Sequence, residues 1–214
     1  MTLSTTKPKG REAIKAWHRQ KIIEATVEVV SVYGIAETTV SRVVEHAKVS
    51  RGLVNVHFKT KKRLLLETAI YMSDLYTKAS EEALRRGGDD PVKKMRNLVV
   101  SDFSEEILNE RSVGFWLTLR SQVRSMPELI PMVETRDARY IEYIRNPLSK
   151  INEEGGYNVR LKMVVDGIMA MVEGMWVDYY IHYETFDRRK AVETVFLFLS
   201  SFFPDHFSVS PEEK

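Results

Sequence analysis

Apolar residues recur along most of this chain at intervals of three and four, the spacing of one face of an α-helix, and strand-like alternation is never sustained. Ile22, Ile23, Thr26, Val27, Val30 and Tyr33 form one such stripe, and Gly34 follows as a stop signal. Val40, Val43, Val44 and Ala47 mark one face of a short second helix, with Thr38 or Thr39 as its N-cap. A third short helix follows "KVS", capped by Ser50, with Val54 and Phe58 turned inward. A long fourth helix over 61–86 carries Leu64, Leu65, Ala69, Met72, Leu75 and Tyr76. "GGDDP" at 87–91 ends it, and Pro91 suits the first turn of the next helix, with Asp89 or Asp90 as cap. Further breaks are expected at 109–112, 126–127, 146–147, 155–156 and 185–187. The pattern predicts an all-α fold of about nine helices, a three-helix N-terminal unit leading into a larger bundle.

Charge sharpens this picture. The whole chain of 214 residues carries a net of only +2, but residues 1–64 hold 13 Lys and Arg against 5 Asp and Glu. That third is therefore +8 and the remainder −6, a distribution that fits nucleic-acid binding at the N-terminal end. Cysteine is absent, which removes disulfides, thiolate metal sites and cysteine nucleophiles from consideration. The N-terminal stretch lacks the apolar core of a secretory leader, and "VFLFLSSFF" is far short of a membrane span. A soluble, cytoplasmic protein with no membrane partner is expected.

Two short helices joined by a turn of three or four residues describe a helix-turn-helix, and 38–63 meets its requirements. Val49, Val54 and Phe58 can face inward, while Arg51, Gly52, Leu53, Asn55, Val56 and His57 project outward. An outward Leu and Val suit thymine methyl groups in a major groove better than water, and Asn55 can read adenine through two hydrogen bonds. Gly52, with no side chain, lets another backbone approach closely. Thr38, Thr39, Ser50 and Lys61 complete the expected DNA-contacting set, with Lys59 and Lys62 near the phosphates. Trp17, His18 and Arg19, with Arg11 and Lys15, could form a basic arm.

The stretch "TTVSRVVEHAKVSRGLVNVHFKTKKRLLLETA" resembles the DNA-binding segment of the TetR family of bacterial repressors. The match runs through Thr38, Val40, Ala47, Val49, Ser50, Gly52, Val54, His57, Phe58, Lys61, Leu64 and Leu65, preceded by Gly34. Two positions depart from the family pattern. Lys48 stands where the family usually has a turn glycine, and Asn55 where it usually has tyrosine. The first implies a turn made without a left-handed glycine, or with a strained lysine. The resemblance implies a helix-turn-helix DNA-binding domain over 1–60 and a helical ligand-binding and dimerisation domain over 61–214. It further implies a homodimer formed through the two C-terminal helices on a palindromic double-stranded operator, with release by a small molecule. The material is suitable: "IMAMVEGMW" and "VFLFLSSFF" are rich in large apolar residues, and Ala170 and Gly174 would let helices approach closely.

A narrower resemblance rests on "FWLTLRSQVRSMPELIPMVETRDARYIEYI" and "VEGMWVDYYIH", which look like the choline-sensing repressors of glycine-betaine synthesis. Aromatic faces plus a carboxylate are what a quaternary ammonium ligand requires. The candidate ligand residues are Phe103, Trp116, Tyr140, Glu173, Trp176 and Tyr180, with Glu173 as charge partner provided it is buried. The same aromatics would serve a neutral hydrophobic effector equally well. No Gly-rich phosphate loop, His-Glu-x-x-His or nucleophile elbow is present, and the five histidines are scattered, so no enzyme activity, cofactor or metal is expected. A plain helical adaptor remains the outlying alternative, and it leaves the charge split unexplained.

Overall fold

The computed structural model describes residues 8–207. Residues 1–7, part of the stretch expected to lack a leader core, and 208–214, the end of the second expected domain, lie outside them. The described residues form nine α-helices and one 3-10 turn, with no strand. In chain order these are α1 (Arg11–Glu37), α2 (Val40–Ala47), α3 (Arg51–Phe58), α4 (Lys61–Arg86) and α5 (Pro91–Asp102). Then come α6 (Glu110–Ser121), the 3-10 turn Pro127–Leu129, α7 (Ile130–Glu154), α8 (Leu161–Ile181) and α9 (Arg188–Ser200). Among the described residues no helix is long and apolar enough to cross a membrane.

Several helix starts are set by short polar side chains that accept hydrogen bonds from otherwise unpaired N–H groups of a first turn. Thr39 Oγ1 accepts from Arg42 N at 3.2 Å, and Ser50 Oγ from Leu53 N at 3.4 Å. Asp90 Oδ1 accepts from Val92 N at 2.9 Å and Lys93 N at 3.0 Å, with Pro91 in the first turn as expected. Asp187 caps α9 in the same way.

Gly34 interrupts α1 as expected (φ 78°, ψ 168°), and a separate last turn follows as far as Glu37. Two elements differ from the sequence reading. Residues 11–19 belong to the helix α1 and do not form a separate arm. The expected break at 146–147 is absent, and Pro147 lies buried inside α7. A proline costs a helix interior about 3 kcal/mol. Ile144, Leu148 and Ile151 beside it are fully buried, and burying each contributes about 2 kcal/mol, enough to hold α7 continuous.

The chain divides into two compact units, the first running to Asp74 and including Glu110–Val133. Within it α1 packs against α2, α3 and α6. Ile22, Ile23, Val29, Val43, Ala47, Val54, Phe58 and Leu64 form one buried cluster, so the inner faces of both short helices close on α1. Ser31 Oγ donates to the Arg111 carbonyl at 2.6 Å, and Arg111 pairs with Glu28 at 2.6 Å, which ties α6 to α1. Two lysines make the tight joints of this unit. Lys48 ends α2 in the left-handed region (φ 50°, ψ 49°), taking a conformation that usually falls to glycine. Lys59 (φ 59°, ψ −45°) sits at the centre of a three-residue turn closed by Thr60 N donating to the Phe58 carbonyl at 2.6 Å.

The second unit comprises Leu75–Asn109 and the chain from Glu134 onward. Its core includes Met95, Leu98, Val99, Ile144, Leu148, Ile151, Val164, Ile168, Val195, Leu199 and Phe203. One face of α8 stays uncovered: Met163, Ala170, Gly174, Val177 and Ile181 lie at helical spacing and are all exposed. Met163 and Ile181 keep 64% and 62% of their surface open. A Cβ added at Gly174 would meet nothing within 4 Å.

Candidate nucleic-acid interface and effector site

Helix α3 is a two-sided element. Val54 and Phe58 are buried, at 3% and 1% exposure, while Arg51, Gly52, Asn55 and Val56 are exposed and Leu53 and His57 half-buried. Val56 leaves 72% of its surface open, an unfavourable arrangement for a valine facing only water. Within the chain, a side chain at Gly52 would meet only Ser50 Oγ at 3.8 Å, so nothing in the fold requires glycine there. Burial lowers the His57 pKa from its ordinary value, and the positive groups of His18, Lys15 and Arg19 lower it further. That places the end of α3 in the positive field of the basic face of α1.

Thr38 and Lys61, expected at the DNA, have structural partners within the chain. Thr38 is buried, and its hydroxyl donates to the Gly34 carbonyl at 2.7 Å, closing the broken end of α1. Lys61 Nζ donates to the Ile35 carbonyl at 2.9 Å, where an ammonium satisfies the last carbonyls of a helix. Thr39 and Ser50 are engaged as caps. Lys62 pairs with Glu128 at 2.9 Å, and Glu67 accepts from both Arg63 and Arg19.

The second unit holds a different kind of site. Asp102, the last residue of α5, is 1% exposed. Its carboxylate accepts from the Tyr76 hydroxyl at 2.7 Å and from the Tyr140 hydroxyl. Burial pushes its pKa up to about 7 against the opposing pull of the Tyr76 hydrogen bond and the Arg136 charge. Burial also raises the Tyr76 pKa well above its usual value, with the Asp102 charge acting in the same direction. The rings gather around this carboxylate: Tyr76 lies 5.5 Å from Tyr140 and 5.8 Å, edge to face, from Trp176. Trp176 is 7% exposed, and its Nε1 is buried with no hydrogen-bond partner. Above the rings sits Arg136, itself 8% exposed, with its guanidinium carbon 4.4 Å from the Tyr76 centroid and 5.3 Å from that of Trp176. Its Nη1 donates to Asp137 Oδ1 at 3.1 Å. The whole is a buried acid held by two tyrosine hydroxyls, with a cation against the faces of Tyr76 and Trp176.

Two family models match the chain. "Bacterial regulatory proteins, tetR family" covers residues 22–68, and "BetI-type transcriptional repressor, C-terminal" covers 91–204, more than half of the sequence. The chain belongs to the BetI type of the TetR family. A relative from Serratia proteamaculans (strain 568), the HTH-type transcriptional regulator BetI, is 22% identical over 175 residues, spanning 81% of this chain and 86% of that one. A transcriptional regulator structure from Pseudomonas aeruginosa PAO1 shares the fold at a TM-score of 0.79, 21% identity, and 92% and 94% coverage. Another, from Saccharomonospora viridis in complex with choline, does so at a TM-score of 0.74, 14% identity, and 86% and 96% coverage.

Against this BetI-type frame, the candidate effector residues fall into separate places. Tyr140 and Trp176 belong to the Asp102 cluster. Phe103 is buried next to Asp102 in the chain, its carbonyl accepting from Arg188 at 2.9 Å. Trp116 is buried beside Phe115 in the first unit. Glu173 is exposed and does not meet the condition set for a charge partner, because it lies on the open side of α8. Tyr180 is 42% exposed on the same helix. Sequence reasoning missed Asp102 and Arg136 as site residues. Both carried a signal: Asp102 continues the buried stripe of Met95, Leu98 and Val99, and Arg136 that of Tyr140, Ile144 and Leu148. A charge at a core-facing helical position asks for a partner.

Proposed function

We propose that this protein is a repressor that binds a palindromic double-stranded operator as a homodimer through α3, and that a quaternary ammonium cation such as choline releases it. Support for the reader comes from an exposed α3 face that combines Arg51, Asn55 and His57 with apolar Leu53 and Val56, and from a Gly52 that only an outside surface requires. Support for the dimer comes from the uncovered α8 stripe with small residues at 170 and 174.

One observation carries the effector reading: a fully buried carboxylate, Asp102, hydrogen-bonded by Tyr76 and Tyr140, with Trp176 packed edge to face against Tyr76. Aromatic faces and an opposite charge together suit a quaternary ammonium group, whose charged nitrogen carries no N–H donors. Tyr76 is on α4 and Tyr140 on α7, helices that both also contribute residues to the first unit. An effector that favours one arrangement of these helices by a few kcal/mol shifts the operator-competent population. An Asp102 pKa near neutrality supports a second reading, a neutral apolar effector facing a protonated Asp102.

The test is a footprint on the DNA flanking the protein's own gene, at two salt concentrations, with and without choline. The expected result is a protected palindrome that weakens with salt and is lost on adding choline. Protection indifferent to choline would keep the repressor and reject the cation. No protection at low salt would reject both.

A further inference from the structure

We propose that Arg136 is the resident cation of the effector cage, and that an incoming cation acts by exchanging with it. The second half of this proposal rests on the quaternary ammonium reading above; the first half does not. The guanidinium carbon of Arg136 is 4.4 Å from the centre of Tyr76 and 5.3 Å from that of Trp176, both inside the ~6 Å range of cation–π attraction. The Asp102 carboxylate lies close enough for the Arg136 charge to act on it. These are the two features an external cation needs, and they are already engaged by the chain itself.

Arg136 is held by features that make exchange workable. Its backbone lies on α7, four residues before Tyr140, so both reach the cluster from one helix face. Its Nη1 donates to Asp137, a carboxylate with 23% of its side chain open, which gives the guanidinium an anchor outside the rings. Replacing one cation by another conserves the charge beside Asp102, so the acid has a cation next to it in both the resting and the effector-bound state. The resident cation also sets the effector's affinity. If Arg136 leaves the rings one time in ten, the apparent Kd is about tenfold weaker than that of the open cage.

The test compares the full-length wild type with Arg136→Ala and Arg136→Met, the second keeping apolar volume where the first leaves a gap. Each is titrated with choline and, separately, with ethylguanidinium at millimolar concentration. Thermal melting, calorimetric binding and the Arg136 Nε–H resonance of the wild type are followed. Ethylguanidinium should raise the melting temperature of Arg136→Ala and leave the wild type unchanged. Choline should bind both variants about tenfold more tightly than the wild type. In the wild type, choline should move the Nε–H resonance out of its ring-shifted position.

Rescue by ethylguanidinium without choline binding to any of the three proteins would support the resident cation and reject choline as effector. Choline binding that is unchanged or weaker in both variants, with no rescue by ethylguanidinium, would overturn the proposal and leave the effector reading intact. A wild-type Nε–H resonance that stays in place at saturating choline would overturn the exchange.

Discussion

Around α3 the positive groups face water: Arg51, Lys59 and Lys62 are exposed, and His57 lies half-buried among basic neighbours. Around Asp102 the charges face each other, with an acid at 1% exposure, a guanidinium at 8%, and tyrosine hydroxyls taking up the acid's lone pairs. Exposed charges contribute little to the fold and much to the attraction of a partner, and salt screens them. Buried charges bear on the fold directly, and protons change their balance. The first region should therefore respond to ionic strength and the second to pH, each with little sensitivity to the other's variable.

The strongest way to break this comparison is at Gly52. Gly52→Val should lower operator affinity at least about a hundredfold, because a branched side chain would stand between α3 and the groove. A Cβ at this exposed position would meet only Ser50 Oγ at 3.8 Å, so the melting temperature should hold within a few degrees. A matching loss of stability would show instead that the glycine serves the fold.

The second test concerns Asp102. Its folded pKa of about 7 lies above the ordinary value of 3.8, so between those two pH values the folded state keeps a proton that the unfolded chain has lost. Its contribution is fully present below pH ~4 and is lost as pH rises through ~7, a decline on the order of a few kcal/mol. The groups facing it are Tyr76 from α4, with Tyr140 and Arg136 from α7. Asp102→Asn should flatten that part of the stability profile, measured by denaturant melts from pH 4 to 8. Smaller still, Tyr76→Phe removes a 2.7 Å hydrogen bond and should cost about 1–2 kcal/mol. It should also move the Asp102 titration upward, because that bond favours the charged form.

The smallest effect is expected at Lys48. A left-handed lysine carries a penalty of about 1–2 kcal/mol that glycine escapes, offset in part by the greater freedom of glycine in the unfolded chain. Lys48→Gly should therefore stabilise the protein by about 0.5 kcal/mol without changing operator affinity.

Local signals made the reader legible in the sequence. Thr39, Ser50, Asp90 and Asp187 cap helices where short polar residues precede apolar stripes, and the inner faces of α2 and α3 follow directly from spacing. The structural roles of Thr38 and Lys61 are not legible in the sequence, because their partners, the carbonyls of Gly34 and Ile35, lie elsewhere in the chain or across a helix break. The effector cluster was legible only in part for the same reason. Tyr140 and Trp176 stand out as aromatics, but the carboxylate they surround comes from a helix end 38 residues before Tyr140. Pro147 misled because local propensity argued for a break that burial on both sides overrode.

The turn at Lys59 has a mechanical consequence. Only two residues separate α3 from α4, and one of them is locked in a three-residue turn closed at 2.6 Å. Such a joint has almost no play. A tilt at the start of α4 cannot be taken up as slack in a linker, so it must reappear as a tilt of α3. With Phe58 and Leu64 buried in one cluster on either side, α3 and the start of α4 move as a single welded corner.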